Sequence, residues 1–219
     1  MIEILPDFIP RFLTGVLLNF EIAAGSLLMG LLIGVPIALA RLRGRSLGIV
    51  ASTATGVMRA APTFVVMFFL LYAVPREFSL FGVSVFISAP MVVVLALTVY
   101  SASYVADNAL EALQQLRRGS HHAALLFLPN MARAFFVLVL SSSTGAAIGV
   151  REAISATLRQ AERLPKLSDR LLLFLLVMLF FVATLQAAYA AVAWLRRALS
   201  TRNSVPVQQG SEPQAEIGI

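Results

Sequence analysis

The stretch Leu171-Leu-Leu-Phe-Leu-Leu-Val-Met-Leu-Phe-Phe-Val-Ala-Thr-Leu-Gln-Ala-Ala-Tyr-Ala-Ala-Val-Ala-Trp-Leu195 holds no charged residue. It exceeds the roughly 20 apolar residues that carry a helix across a bilayer, so it reads as a membrane span. Working outward, four more candidates emerge. Leu18 to Ala40 carries Gly25, Gly30, Gly34 and Pro36. A second lies within Leu47 to Val74, interrupted by Arg59 and Pro62. Pro90 to Ala109 is the third, and Ala134 to Val150, short and rich in Ser and Gly, is the fourth. The fold class expected is therefore an all-α, polytopic transmembrane helical bundle of about five spans.

Composition agrees. The 219 residues are 59% hydrophobic and 13% charged, and the mean hydropathy is +0.87. A soluble domain is nearer half apolar and a quarter charged, so the excess apolar surface must face lipid. The net charge of +6 does not point to nucleic acid, because all but Lys166 of the 17 cations are Arg set between apolar runs, as in loops at a membrane surface. There is no Cys for a disulfide or thiol nucleophile, and His is limited to His121 and His122. Neighbouring residues diverge on a helix and no third ligand stands near, so a solvated loop is preferred to a metal site. A phosphate-binding Gly-x-x-x-x-Gly-Lys loop is absent from the sequence. Nor do the spans hold a Ser-His pair or a second Asp beside Asp107, which argues against an intramembrane enzyme. The chain is expected to bind no cofactor.

Five spans place the termini on opposite sides. Clusters Arg41, Arg43, Arg45 and Arg196, Arg197, Arg202, with Arg117, Arg118 and Arg133, favour a cytoplasmic C-terminus and an external N-terminus. The segment Arg151 to Arg170, with five cations, falls on the outer side by this count. The expected organisation is an external segment at 1–17, a membrane domain at 18–199 with a loop at about 110–133, and a disordered polar tail at 200–219.

Three motifs carry a resemblance. Gly15-Val-Leu-Leu-Asn19-Phe20-Glu21-Ile22, then Gly30-Leu-Leu-Ile-Gly34, then Ala38-Leu-Ala-Arg41 form the first; Gly30 and Gly34 would let another helix approach closely. The second is Arg59-Ala-Ala-Pro62, an apolar run, then Tyr72-Ala-Val-Pro75. A proline there bends a span. Arg59 reads either as a buried, bundle-facing cation or as an interfacial anchor. The third is Tyr104-Val-Ala-Asp107 followed by Gly119-Ser120-His121-His122-Ala123-Ala124.

In order and spacing these resemble the membrane permease subunits of bacterial polar amino acid ABC importers, over about Gly15 to Leu199. The resemblance implies a type I permease fold and a homo- or heterodimer of permeases in the bacterial inner membrane. It also implies two cytoplasmic ATPase subunits that do the hydrolysis and an external solute-binding protein. Gly119, Ser120, His122, Ala123 and Ala124 would form the loop that docks into the ATPase, while Arg59, Pro62, Tyr72 and Pro75 match the family motif of span two. The sequence departs from the family at His122 (usually Glu), Ser120 (usually Gln) and Leu128 (usually Gly). About twenty residues of the usual fourth span are missing. A second reading follows, a non-transporting structural partner of an intact permease.

Overall fold

The computed structural model describes residues 5–43, 45–80, 83–120 and 124–201. His121, His122 and Ala123 of the expected docking loop, and the tail from residue 202, lie outside them. Along the chain run α1 (Leu5–Arg41), α2 (Arg45–Ala60), α3 (Thr63–Ala73), a β1–β2 hairpin (Glu77–Leu80, Val83–Phe86) and α4 (Ala89–Arg117). They are followed by α5 (Phe127–Ser141), a 3-10 segment (Ser142–Ile148), α6 (Ala153–Arg163) and α7 (Leu167–Thr201). The architecture is an all-α polytopic bundle with one small antiparallel hairpin, in which Glu77 pairs with Phe86 and Leu80 with Val83.

Residues 5–17, expected as a separate segment ahead of the first span, are instead the opening turns of α1. The reason is packing. Phe8 and Phe12 lie one helical turn apart, both buried, and the Phe12 ring sits edge-on to Phe180 at 5.1 Å and Phe181 at 6.3 Å. Leu164, Leu173 and Val177 complete this cluster.

The second expected span is broken. Pro62 supplies no N–H and disfavours helix at the residue before it; its backbone is extended, with φ −65° and ψ 126°. The axes of α2 and α3 therefore meet at 93°. Among the described residues four helices are long and apolar enough to cross a membrane, five crossings if α2–α3 counts as one. The register of α1 on α4 decides in favour of five. Gly25 lies against Val94, Gly30 against Ser101, Gly34 against Ala102 and Val105, and Arg41 against Asp107. Both numbers rise together, so the two helices are parallel, and the chain must return between them. Arg59 also reaches Asp107, so α2 stays at that end of the bundle. The return to Ala89 then falls to α3 and the hairpin, over about 27 Å at 1.5 Å per residue of α4, close to the hydrocarbon thickness.

The fourth crossing starts at Phe127, before the expected Ala134, with Pro129 tolerated in its first turn. Its α-helix has 15 residues, about 22 Å at 1.5 Å each. The 7-residue 3-10 continuation adds about 14 Å, because it rises about 2 Å per residue. Together the two segments reach about 36 Å, enough for one crossing, although the tighter winding itself adds only about 3.5 Å over an α-helix of the same residues. The main core joins Ile22, Met67, Val93, Leu97, Leu138 and Val150 from four helices and the connection before α6. In contrast, only 17% of the most apolar window of α7 is buried. Most of that helix's surface is thus exposed and apolar, as expected of a helix on the outside of a multi-pass membrane bundle.

Candidate functional site

The site is built on the α1–α4 seam. An added Cβ at Gly34 would lie 2.6 Å from the Ala102 carbonyl oxygen, and one at Gly30 2.1 Å from Ser101 Oγ. Small residues at both positions let the backbones touch. The close seam fixes the relative height of the two helices, and so it brings Arg41, at the end of α1, onto Asp107.

Asp107 is the centre of the arrangement. Arg41 Nη1 donates to Asp107 Oδ1 at 2.8 Å, and Arg59 Nη2 donates to Oδ2. One carboxylate therefore ties together the ends of α1 and α2 on the face of α4. The Arg41 side chain is 18% exposed and that of Asp107 35%, whereas Arg59 is 59% exposed. The Arg41 pair is thus the better shielded from water and salt. One residue on, Asn108 Oδ1 accepts from Asn130 Nδ2 at 2.8 Å, which fastens the start of α5 to the same level. An open groove of about 440 Å³ runs beside the pair, between Arg41, Gly48, Ser52 and Gln114. We expect Asp107→Asn to lower stability by about 1–2 kcal/mol, between the exposed and buried limits for ion pairs. Arg59→Gln should cost less than about 1 kcal/mol. Thermal unfolding in detergent measures both, and equal costs would contradict the ranking.

Beyond Asp107, α4 ends abruptly. Gly119 adopts φ 77°, a conformation open to glycine and strained for other residues. The Gly119 N–H reaches Leu116 O at 3.0 Å and the Ser120 N–H reaches Gln115 O at 2.9 Å, a Schellman closure. Ala124 N–H bonds Ser120 O at 3.2 Å, and Ala124 is buried. The turn therefore holds Ser120 and Ala124 together at the Asp107 end, with residues 121–123 outside the described part.

At the other end a polar knot joins α1 to α6. Glu152 Oε1 accepts from the Ser155 N–H at 2.6 Å and Oε2 from the Ile154 N–H at 2.8 Å, capping α6. Asn19 Nδ2 lies 3.3 Å from Glu152 Oε2 and 3.1 Å from Ser143 Oγ, and Asn19 Oδ1 accepts from the Ala153 N–H at 3.2 Å. Asn19 and Glu152 are fully buried. Burial pushes the Glu152 carboxyl above its ordinary range, and the hydrogen bonds from Ile154, Ser155, Asn19 and Ser143 oppose that shift without cancelling it.

The residues singled out from sequence are thus distributed. Gly30 and Gly34 lie in the seam, Pro62 at the α2–α3 elbow, and Gly119, Ser120 and Ala124 at the turn. Arg59 is exposed and paired rather than buried. Tyr72, 82% exposed, points away from the core, and Pro75 is exposed beyond the end of α3. The convergence of Arg41 and Arg59 on Asp107 was not anticipated, although all three residues stand in the quoted motifs. Asn19 and Glu152 were also missed; Glu is not among the residues that usually signal a helix start, which are Ser, Thr, Asp and Asn.

Parallel α1 and α4, a bent return and a glycine-closed turn define a class, the polytopic helical membrane bundle. No protein-family model matches the sequence, and no curated protein matches it. Among solved structures the chain is similar to the crystal structure of an amino acid ABC transporter with histidines, at 20% identity and a TM-score of 0.67. The likeness covers 89% of this chain and 96% of the other. This chain accordingly has the fold of a chain of that transporter.

Proposed function

We propose that the chain is the membrane permease subunit of an ABC importer for amino acids, polar ones by the sequence resemblance, in the bacterial inner membrane. The supporting observation is that the resemblance in sequence and the likeness in fold fall on the same architecture, over 89% of the chain. In this reading the Asp107 end is cytoplasmic. The turn at Gly119, with Ser120, His122, Ala123 and Ala124, meets a cleft of a separate ATPase subunit. Two ATPases, a second permease chain and an external solute-binding protein complete the assembly, and this chain hydrolyses nothing.

The ion pairs suit that role. A push on the turn acts on the last turns of α4, and Asp107 passes it to α1 and α2 together. The exposed apolar face of α3, including Phe69 and Tyr72, is available to the second permease or to lipid. The N-terminus then lies outside, because α1 starts at the opposite end.

The test is co-purification with an ABC ATPase and a solute-binding protein, followed by ATP-driven uptake of labelled polar amino acids into proteoliposomes. Ala124→Asp places a carboxylate at a buried position behind the turn and should cut the retained ATPase at least tenfold, about 1.4 kcal/mol. Retention equal to that of the unaltered chain would move the docking surface elsewhere. An unaltered chain that retains ATPase only beside a second, different permease would make it the structural half of a heterodimer.

A further inference from the structure

Four arginines surround a cavity of about 540 Å³ at the Glu152 end of the bundle. Arg11 comes from α1, Arg151 from the connection before α6, and Arg159 and Arg163 from one face of α6, a helical turn apart. Phe8 and Ala156 give part of the wall an apolar character. Among the described residues no carboxylate lines the cavity, and none of the four arginines has an acidic partner within ion-pair distance. The nearest acids along the chain are Asp7, Glu152 and Glu162: Asp7 and Glu162 are exposed, Glu152 is buried with its oxygens turned to the α6 cap and Asn19, and none of the three lines the cavity.

Gathering cations from distant parts of the sequence without a counter-charge is unfavourable by itself. Elsewhere this protein does neutralise its arginines, as Asp107 does for Arg41 and Arg59. A second, independent feature points the same way. Gln160 lines the cavity and is only 6% exposed, yet its amide nitrogen has no hydrogen-bond partner. A buried donor of this kind costs free energy until an acceptor reaches it.

We propose that this cavity is a binding site for a phosphate-bearing anion. Arginine forks match phosphate oxygens two at a time, and the Gln160 side chain, whose unpaired amide nitrogen is shut off from solvent in the empty protein, turns toward the anion to supply a further donor. The place in the fold fits. α1 carries a long, mostly apolar run from Phe12 onward, and Arg11 stands just before it, at the level where headgroups meet the hydrocarbon. The phosphate can therefore come from an anionic lipid whose chains lie along α1 and α7, or from a free phosphate in the water above. The site is separate from the Asp107 end and does not depend on the transport reading.

The experiment uses the full chain in two arms. In zwitterionic phosphatidylcholine nanodiscs, thermal unfolding is followed as inorganic phosphate is added, with chloride at matched ionic strength as reference. In detergent, native mass spectrometry compares retention of phosphatidylglycerol with phosphatidylcholine. A rise in melting temperature specific to phosphate assigns a free anion; selective retention of phosphatidylglycerol assigns a lipid headgroup. Either result supports the site only if Arg159→Gln with Arg163→Gln weakens the binding by about tenfold or more. Both arginines are exposed, so this variant should fold. Gln160→Leu gives a second reading: it should weaken the same binding while leaving the unliganded protein as stable or more so, because it removes an unpaired buried donor. No response in either arm, or a response unchanged in the variants, overturns the proposal.

Discussion

Glu152→Ala is expected to cost about 3 kcal/mol of stability, a value that sums a lost helix cap and a buried amide left without one of its acceptors. The side chain closes the N-terminus of α6 with both oxygens and also receives Asn19 from α1. Removing it leaves the Ile154 and Ser155 N–H groups without their cap and Asn19 Nδ2 with Ser143 Oγ alone, at a fully buried position. The charge state gives a second check. Burial raises the Glu152 pKa in the folded protein, so the native state holds its proton to higher pH than the unfolded chain does. That contribution to stability is fully present below the ordinary carboxylate range and is lost as pH rises through the folded value. Glu152→Gln has no such dependence. Acidification from neutral pH should therefore stabilise the unaltered chain relative to Glu152→Gln, as read by thermal unfolding across pH. A constant difference would show that the carboxyl titrates normally.

Gly34→Leu is the second large effect, at about 3 kcal/mol from forced separation of two packed backbones. The contact that a new side chain meets at Gly34 is the carbonyl oxygen of Ala102, which cannot rotate away. At Gly30 the first obstacle is the Ser101 hydroxyl, which has no hydrogen bond to lose and can turn, and behind it the Ser101 Cβ at 2.8 Å, which cannot but is less close than the Ala102 oxygen is at Gly34. Gly34→Ala should accordingly be the more damaging of the two alanine changes. Because the seam also sets the height of Arg41 on Asp107, Gly34→Leu should loosen that pair. Its thermal unfolding should then be insensitive to a further Asp107→Asn change. Additive losses would show that the seam and the ion pair are independent.

The bundle itself was legible because lipid imposes a simple rule: a charge-free run such as Leu171 to Leu195 has few other places to go. The boundaries were less so. The start of α1 depends on Phe12 meeting Phe180 and Phe181, and no local pattern joins residues so far apart. The elbow was signalled by Pro62, but a proline fixes only that the helix breaks, and the 93° angle also depends on what α2 and α3 each pack against. Likewise the Asn19–Glu152 contact bridges α1 and α6, and each member alone reads as an ordinary polar residue. The seam at Gly30 and Gly34 lay closer to the surface of the sequence, since spacing of small residues is itself the geometric requirement. The Arg159–Arg163 pair was visible as an outer-side excess of cations. Only folding, which brings Arg11 and Gln160 beside it, turns that excess into a cavity.

The unbroken length of α1 has a mechanical consequence. Its 37 residues form a rod of about 55 Å, with Arg11 near one tip and Arg41 at the other. The tight seam at Gly30 and Gly34 is its fulcrum, off-centre towards Arg41. A tilt of a few degrees about that point moves the Arg41 tip by roughly 1 Å and the Arg11 tip by about twice as far in the opposite sense. As a rigid rod the helix would be a lever of unequal arms, with Pro36 between the Gly34 contact and Arg41 as the place where the short arm bends, and the Gly15 and Asn19 contacts with α6 as the restraint on the long one.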